Sequence, residues 1–139
     1  MRWLLATSCA PTTAKILLAG TPEQHERYLA KIFSGEEIWC QLFSEPDVGS
    51  DLANLACRAT RDGDEYVING SKIWSSGAHH SQFGILIART DPEQVKHGGI
   101  SMFIVDMKDP AVEVRAIHRS EEHTSELQSQ STSRMPSSA

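Results

Sequence analysis

Between residues 38 and 114 the sequence alternates short β-compatible segments with turn signals, and this spacing constrains the fold more than any other feature. Turn signals occur at Asp62-Gly63-Asp64 and at Asn69-Gly70. Six or seven short strands at this density indicate an antiparallel barrel or sandwich. The candidate strands are Ile38 to Phe43, Leu55 to Thr60, Glu65 to Asn69, Ser71 to Ser75, Phe83 to Ala88, Ile100 to Val105 and Val112 to Val114.

The segment before residue 38 has a helical pattern. Thr21 is a favourable N-cap, Pro22 suits the first helical position, and Gly35 supplies a stop after about Ser34. An apolar stretch from Ala14 to Ala19 predicts the end of another helix. We therefore expect an α+β chain, in which a short helical segment precedes a barrel-like sheet. The face that the second helix should bury consists of Tyr28, Leu29, Ile32 and Phe33.

Charge and composition exclude several classes of function. The net charge is -5, with acidic and basic residues interspersed, so no basic face favours nucleic acid or an anionic membrane. No apolar run approaches the ~20 residues of a membrane-spanning helix. The apolar run near the start is too short for a secretion signal. We expect a soluble metabolic domain, with the bacterial cytoplasm as its compartment, or an organelle matrix if the source is eukaryotic.

The cysteines and histidines do not predict a metal site. Cys9, Cys40 and Cys57 are odd in number and lack paired spacing, which favours buried thiols over disulfides or zinc ligands. His79 and His80 are adjacent, and in an extended segment their side chains would point to opposite faces. We therefore expect no metal.

The last 21 residues differ in composition from the rest of the chain. Residues 119–139 contain nine Ser or Thr and three apolar side chains, which predicts a disordered tail. Reversing the translation of Arg119 to Ser129 and of Ser133 to Ala139 gives two strings that resemble one common sequencing-library adapter. We therefore expect the genuine coding sequence to end near His118, and the tail to be an artefact.

The stretch FSEPDVGSD, residues 43–51, is an unusual corner between two candidate strands. Glu45 precedes a proline and must stay extended, so Ser44 is fixed at the end of a strand. Gly49 allows a close approach of the backbone, and Ser50 offers a hydroxyl and an N–H. Signatures of phosphate loops, dinucleotide folds, hydrolase elbows and zinc proteases are absent. The corner is either a ligand-contacting loop or a structural strand-to-loop turn.

Two motifs give the chain a recognisable resemblance. WCQLFSEPDVGSD followed by DGDEYVINGSKIWSSGAHH resembles the middle β-domain of the acyl-CoA dehydrogenase family, and the resemblance covers roughly Pro11 to His118. It implies three parts: 1–37 as the end of an N-terminal helical domain, 38–118 as the middle β-domain, and 119–139 as the artefactual tail.

The resemblance implies a set of flavin-binding residues. The first motif implies that backbone groups of Leu42 and Phe43 and the Ser44 hydroxyl meet the pyrimidine side of the isoalloxazine. Ser50 would contact the flavin pyrophosphate or the pantetheine arm of the acyl-CoA substrate. The second motif implies that Trp74 packs beside the ring and Ser76 reaches its N5 edge, while a core aromatic and a locally bonded strand hydroxyl remain the alternatives. The full cofactor-binding set is Gln41, Leu42, Phe43, Ser44, Gly49, Ser50, Trp74, Ser75 and Ser76.

The same resemblance implies an enzyme of which this chain is a fragment. The intact product would be an FAD-dependent, homo-oligomeric acyl-CoA dehydrogenase that passes electrons to an electron-transfer flavoprotein or a similar acceptor. The family's catalytic carboxylate belongs to a domain that follows the region covered here, so no catalytic residue is assigned and the fragment should be inactive. The alternatives are an oxidase or flavin monooxygenase of the same superfamily, or a non-enzymatic binding module.

Overall fold

The computed structural model describes residues 12–48, 51, 54–95, 98–117 and 126–136. Helix α1 covers residues 12–19. Helix α2 has three consecutive segments, Pro22–Gln24, a π-helical turn at His25–Leu29, and Ala30–Ser34. A short 3-10 helix covers Ala78–His80. The strands are β1 Trp39–Leu42, β2 Arg58–Asp62, β3 Glu65–Lys72, β4 Phe83–Arg89, β5 Ile100–Asp106, β6 Val112–Ile117 and β7 Glu126–Pro136. No helix in these ranges is long and apolar enough to cross a membrane.

The predicted ends of α2 are confirmed. The Thr21 hydroxyl accepts from the Gln24 backbone N–H at 3.3 Å, and the Thr21 N–H donates to the Gln24 side chain at 3.0 Å, which forms a capping box. Gly35 ends the helix in the left-handed conformation, at φ 76°.

The predicted buried face of α2 is confirmed except at one position. Ile32 is buried, and Tyr28 packs edge-on against Trp39 with ring centroids 5.1 Å apart. Phe33 was predicted to share this face, but it is 71% exposed. An α-helix turns about 100° per residue, so Phe33 lies about 140° around the axis from Tyr28 and falls outside the buried stripe.

The strands form one sheet that has two parts. One part contains β1, β4 and β5, and the other has the order β2-β3-β7-β6. A single residue pair, Arg58 and Arg89, joins the two parts between β2 and β4. The expected helical segment followed by a mostly antiparallel sheet is confirmed, although β1 pairs with β4 in parallel.

One predicted turn is wrong. Asn69-Gly70 was expected to separate two strands, but both residues lie inside the continuous strand β3. Gly70 allows a close approach instead, because an added Cβ would lie 2.7 Å from the Cys57 side chain. The predicted turn at Asp62-Gly63-Asp64 is confirmed as the β2–β3 hairpin, with Gly63 at φ 64°.

Two apolar clusters hold these elements together. The smaller cluster joins the helices to the sheet through Ile16, Ile32, Trp39 and Ile85. The larger cluster lies within the sheet and contains both described cysteines, Cys40 and Cys57, which confirms the predicted burial of these two thiols. Cys9 lies outside the described residues. The other members of the larger cluster are Leu42, Leu55, Ala59, Ile68, Ala78, Leu86, Ile87, Ala88, Val105, Met107 and Val112.

Part of the segment that we expected to be disordered forms a strand in the structure. Strand β7, Glu126–Pro136, pairs antiparallel with β3 on one side and with β6 on the other. The expectation of disorder rested on the scarcity of apolar side chains, whereas strand pairing uses backbone N–H and C=O groups that every residue except proline carries. The remaining tail residues, 119–125 and 137–139, lie outside the described residues.

The register of β7 is defined on both sides. Ser133 is paired with Ile68 of β3, and Ser131 is paired with Val112 of β6.

Candidate functional site

The first predicted site segment begins where β1 ends. Phe43 and Ser44 follow the last residue of β1, and Glu45 and Val48 then form an isolated antiparallel bridge around a turn at Pro46-Asp47. The chain therefore reverses direction directly after Ser44. Gly49 and Ser50, which were predicted to contact the cofactor and the substrate, lie outside the described residues.

The second predicted segment begins where β3 ends, and its backbone is strained. Trp74 has φ 62°, and among the described residues it is the one non-glycine residue with positive φ. This conformation is unfavourable for a bulky side chain. The Ser76 N–H donates to the Trp74 carbonyl at 3.1 Å, which closes a tight turn. Strained residues of this kind concentrate at functional sites, so the turn is a candidate site on conformational grounds.

A backbone hydrogen bond brings the two segments together. The Ile73 N–H donates to the Ser44 carbonyl at 2.9 Å, although 29 positions separate the two residues in sequence. The bond lies next to Trp74 on one segment and next to Phe43 on the other. The fold therefore brings the ends of both predicted motifs to one corner.

The side chains of the second segment differ in exposure. Trp74 is 50% exposed and belongs to neither apolar cluster, so the alternative of a core aromatic is wrong. Ser76 is exposed, and its hydroxyl has no hydrogen-bond partner within the described ranges. Ser75 is 1% exposed, and its buried hydroxyl likewise has no partner there. Trp74 and Ser76 can contact a ligand from the surface, whereas Ser75 lies beneath the surface.

The first segment offers mainly backbone groups and one hydroxyl. Leu42 is buried in the core and Gln41 is partly buried on the same strand. Strand β1 is an edge strand in the described part of the chain, so part of its backbone is free of strand pairing. The hydroxyl of Ser44 has no partner among the residues that the structure describes. The Phe43 ring lies under the Lys15 ammonium, 4.8 Å from the ring centroid, so it is fixed from the α1 side.

The structure adds a buried ion pair that the sequence analysis missed. The Lys72 ammonium and the Glu45 carboxylate are 2.7 Å apart, with side chains 1% and 4% exposed. The carboxylate also accepts from the backbone N–H groups of Ala56 at 2.5 Å and Cys57 at 3.0 Å. The alternation of β3 was the available signal, because Lys72 lies on the same face as Ile68 and a charge there requires a partner.

The histidine pair has a different geometry from the one predicted. His79 and His80 lie on a 3-10 turn, and their ring centroids are 3.9 Å apart, so the expectation of opposite faces is wrong. A 3-10 turn does not alternate side chains as a strand does. Even so, no group of three or more metal-ligating side chains occurs among the described residues.

The corner has the chemistry of a site for a flat, hydrogen-bonding ligand. A half-exposed indole, the hydroxyls of Ser44 and Ser76, which have no partner in the described part of the chain, and edge-strand backbone groups occur on two segments that a hydrogen bond joins. Aromatic faces pack against flat rings, and hydroxyls and N–H groups satisfy heteroatoms at the ring edges. These residues fit an isoalloxazine ring.

Comparison with known proteins gives a family match over most of the chain. The family model described as acyl-CoA dehydrogenase, middle domain, matches residues 40–131. This range includes both site segments and continues into strand β7.

The curated relatives are much longer than this chain. Acyl-CoA dehydrogenase FadE34 of Mycobacterium tuberculosis (strain ATCC 25618 / H37Rv) is 49% identical over 108 residues, which are 78% of this chain and 15% of the relative. Acyl-CoA dehydrogenase IpdE1 of the same organism is 45% identical over 102 residues, which are 73% of this chain and 26% of the relative.

Solved structures likewise match most of this chain and are much longer than it. The structure titled Tcur3481-Tcur3483 steroid ACAD matches with a TM-score of 0.85 and 38% identity, over 96% of this chain and 34% of that one. A glutaryl-CoA dehydrogenase from Mycobacterium smegmatis in complex with FADH2 matches with a TM-score of 0.78 and 32% identity, over 92% of this chain and 32% of that one. The chain therefore spans about one third of these structures.

The buried pair predicts a large and asymmetric effect on stability. Lys72→Met should lower the free energy of unfolding by about 3–5 kcal/mol, because it leaves the Glu45 carboxylate buried without its cation. The double variant Glu45→Gln with Lys72→Met removes both charges and should recover part of that loss. Urea unfolding of the wild type, Lys72→Met and the double variant measures the effects. Arg115→Met, at the exposed pair with Glu113, is the control and should leave the urea midpoint near the wild-type value.

The buried thiols predict a loss of stability at high pH. Burial raises the pKa of Cys40 and of Cys57 from 9.0 to about 11. Between these values the unfolded chain loses thiol protons that the native chain keeps, so the free energy of unfolding falls as pH rises. Urea unfolding at several pH values should show a shallower fall in Cys40→Ala/Cys57→Ala than in wild type, since other groups titrate alike in both. Identical slopes would contradict the raised pKa values.

Proposed function

The chain belongs to the acyl-CoA dehydrogenase family, and from this premise we propose that its intact gene product is an FAD-dependent acyl-CoA dehydrogenase. In this proposal the chain contributes the middle domain and one wall of the flavin site. When bound, FAD supplies the hydride acceptor for α,β-dehydrogenation of an acyl-CoA thioester. The observation that carries the proposal is the hydrogen bond from Ile73 to Ser44, which joins the two flavin motifs at one corner.

Each residue of the corner has a physical role in the proposal. The Ser44 hydroxyl and the backbone of Leu42 and Phe43 donate to the pyrimidine side of the ring, where electron density rises during reduction. Donors that are fixed in advance stabilise that charge without reorganising. Trp74 covers the ring and excludes water, and the Ser76 hydroxyl lies at the N5 edge.

The remaining predicted contacts have different support. Gln41 lies on the same edge strand as Leu42 and contributes through its position beside the pyrimidine wall. Ser75 is buried beneath the turn and partnerless within the described ranges, so its place in the set rests on the motif. Gly49 and Ser50 rest on the motif alone: Gly49 allows close backbone approach, and Ser50 contacts the pyrophosphate or the pantetheine arm of the substrate.

We also propose that this chain is an inactive fragment. The family's catalytic carboxylate lies in a domain that follows the middle domain, and the chain spans only 15% of FadE34 and 26% of IpdE1. Residues 1–37 belong in the proposal to the end of a helical domain and residues 38–118 to the middle domain. Residues 119–139 would be translated adapter, which the resemblance of Arg119 to Ser129 and of Ser133 to Ala139 to one adapter supports.

In this proposal, the specificity for one acyl group is determined by parts of the protein outside this chain. The names of similar proteins differ in substrate: a steroid ACAD, a glutaryl-CoA dehydrogenase and a (2S)-methylsuccinyl-CoA dehydrogenase all match this chain. A region that is similar across such different substrates contributes the shared flavin and thioester contacts. The specificity for one acyl group therefore belongs to the parts that lie outside this chain.

The proposed partners follow from the proposed chemistry. Reduced flavin must pass two electrons onward, and we propose an electron-transfer flavoprotein or a similar acceptor, in the bacterial cytoplasm or an organelle matrix. The intact product would act as a homo-oligomer. One solved structure similar to this chain is titled as a ChsE4-ChsE5 complex, so a mass measurement on the intact protein should distinguish one kind of subunit from two.

The central test is the gene recovered from source DNA. The intact product should purify with the visible absorption bands of a flavin, and it should reduce an electron acceptor when an acyl-CoA is added. Ser44→Ala should lower the rate of flavin reduction about tenfold or more, as loss of one fixed donor does elsewhere. Stopped-flow absorbance measures this rate.

Controls separate the site from the scaffold. Ser34→Ala removes an exposed hydroxyl at the end of α2 and should leave flavin reduction unchanged. An intact product without flavin bands would overturn the proposed enzyme, and a genome that encodes residues 119–139 continuously would overturn the adapter hypothesis. Added FAD should bind residues 1–118 weakly or not at all, because half of the proposed site is missing.

A further inference from the structure

We infer that Glu45 and Lys72 form a positioning pair that holds the two ligand-contacting segments at a fixed separation. Neither residue was assigned a role by the motif, and the pair acts through the segments rather than by touching a ligand. The flavin part of the inference rests on the proposed function. The positioning part rests on the geometry alone.

The pair lies directly beside both ligand-contacting segments in the chain. Glu45 directly follows Ser44, and Lys72 directly precedes Ile73. The pair therefore flanks the hydrogen bond between Ser44 and Ile73 on both segments. The Lys72 ammonium also donates to the Phe43 carbonyl at 3.3 Å, so one buried cation binds two residues of the first segment.

The topology of the sheet keeps the two segments apart. The two segments leave β1 and β3, which are not neighbours, because β4 and β2 lie between them in the strand order. No ladder of strand pairing therefore fixes one segment against the other. Within the described ranges, the hydrogen bonds that join residues 43–45 to residues 72–76 are the backbone bond to Ile73 and the two bonds of the Lys72 ammonium.

The charges of Glu45 and Lys72 are enclosed by the protein. Both side chains are more than nine-tenths buried, and the carboxylate accepts two further backbone N–H groups, from Ala56 and Cys57. Apolar residues of similar volume often stabilise a core as well as a buried ion pair does. An ion pair differs from them in fixing the direction and distance of its partners, which is what a site on two unpaired strand ends requires.

Amide hydrogen exchange tests the positioning role on this chain. In Glu45→Gln and in Lys72→Met the Ile73 amide should exchange about tenfold faster or more relative to the amides of β4, because the local contact opens in addition to the global loss of stability. The control substitutions Glu113→Gln and Arg115→Met change the exposed pair on β6 and should not alter that ratio. A fall in protection that is equal at Ile73 and in β4 would show a global effect on stability and would overturn the inference.

The double variant Glu45→Gln/Lys72→Met separates positioning from stability. It removes both buried charges, so its urea midpoint should recover toward wild type, while the Ile73 amide should stay in fast exchange. It also replaces the single variants if those do not fold. Joint recovery of the midpoint and of Ile73 protection would overturn the inference, since an uncharged pair would then position the segments equally well.

The flavin content of the intact gene product distinguishes this inference from the proposed function. Visible flavin absorbance and exchange at the Ile73 amide should be measured in the intact product, with and without Lys72→Met. Fast exchange at Ile73 in Lys72→Met, combined with an intact gene product that lacks flavin, would sustain the positioning pair and overturn the function. Unchanged exchange at Ile73, combined with equal flavin content in both proteins, would overturn the positioning pair and leave the function standing.

Discussion

The buried contact between Glu45 and Lys72 is the interaction on which the candidate site depends. A carboxylate and an ammonium that are withdrawn from water need each other and further hydrogen bonds, and this pair obtains them from Ala56, Cys57 and Phe43. The requirement explains the corner after β1. Glu45, which precedes Pro46, points into the core, and Ser44, which precedes Glu45, remains at the surface beside the second segment.

The sheet gives this contact its importance. Because β1 and β3 are separated by two strands, their ends need a link that strand pairing does not provide. The link brings together rigid strand ends and a strained turn, in which Trp74 adopts a conformation that a bulky residue ordinarily avoids. A half-exposed indole in such a turn costs stability and contributes little to the core. A ligand covered by the indole ring would account for this cost in stability.

Strand β7 illustrates the difference between backbone pairing and side-chain selection. The open edges of β3 and β6 accept an extended segment through backbone groups, so a segment rich in serine and glutamine can occupy the position. Its composition misled the prediction of disorder, because a scarcity of apolar residues removes core packing but not hydrogen-bonding capacity.

The sequence by itself determined the local elements. The caps of α2, the β2–β3 hairpin, most strands and the two motifs follow from short-range preferences of Thr21, Gly35 and Gly63 and from alternation along each strand. The tertiary structure alone decided the rest. Gly70 continues a strand because Cys57 lies close to it, and Lys72 is buried because Glu45 reaches it from 27 positions away. These outcomes depend on which distant groups meet, and spacing along one chain does not encode that directly.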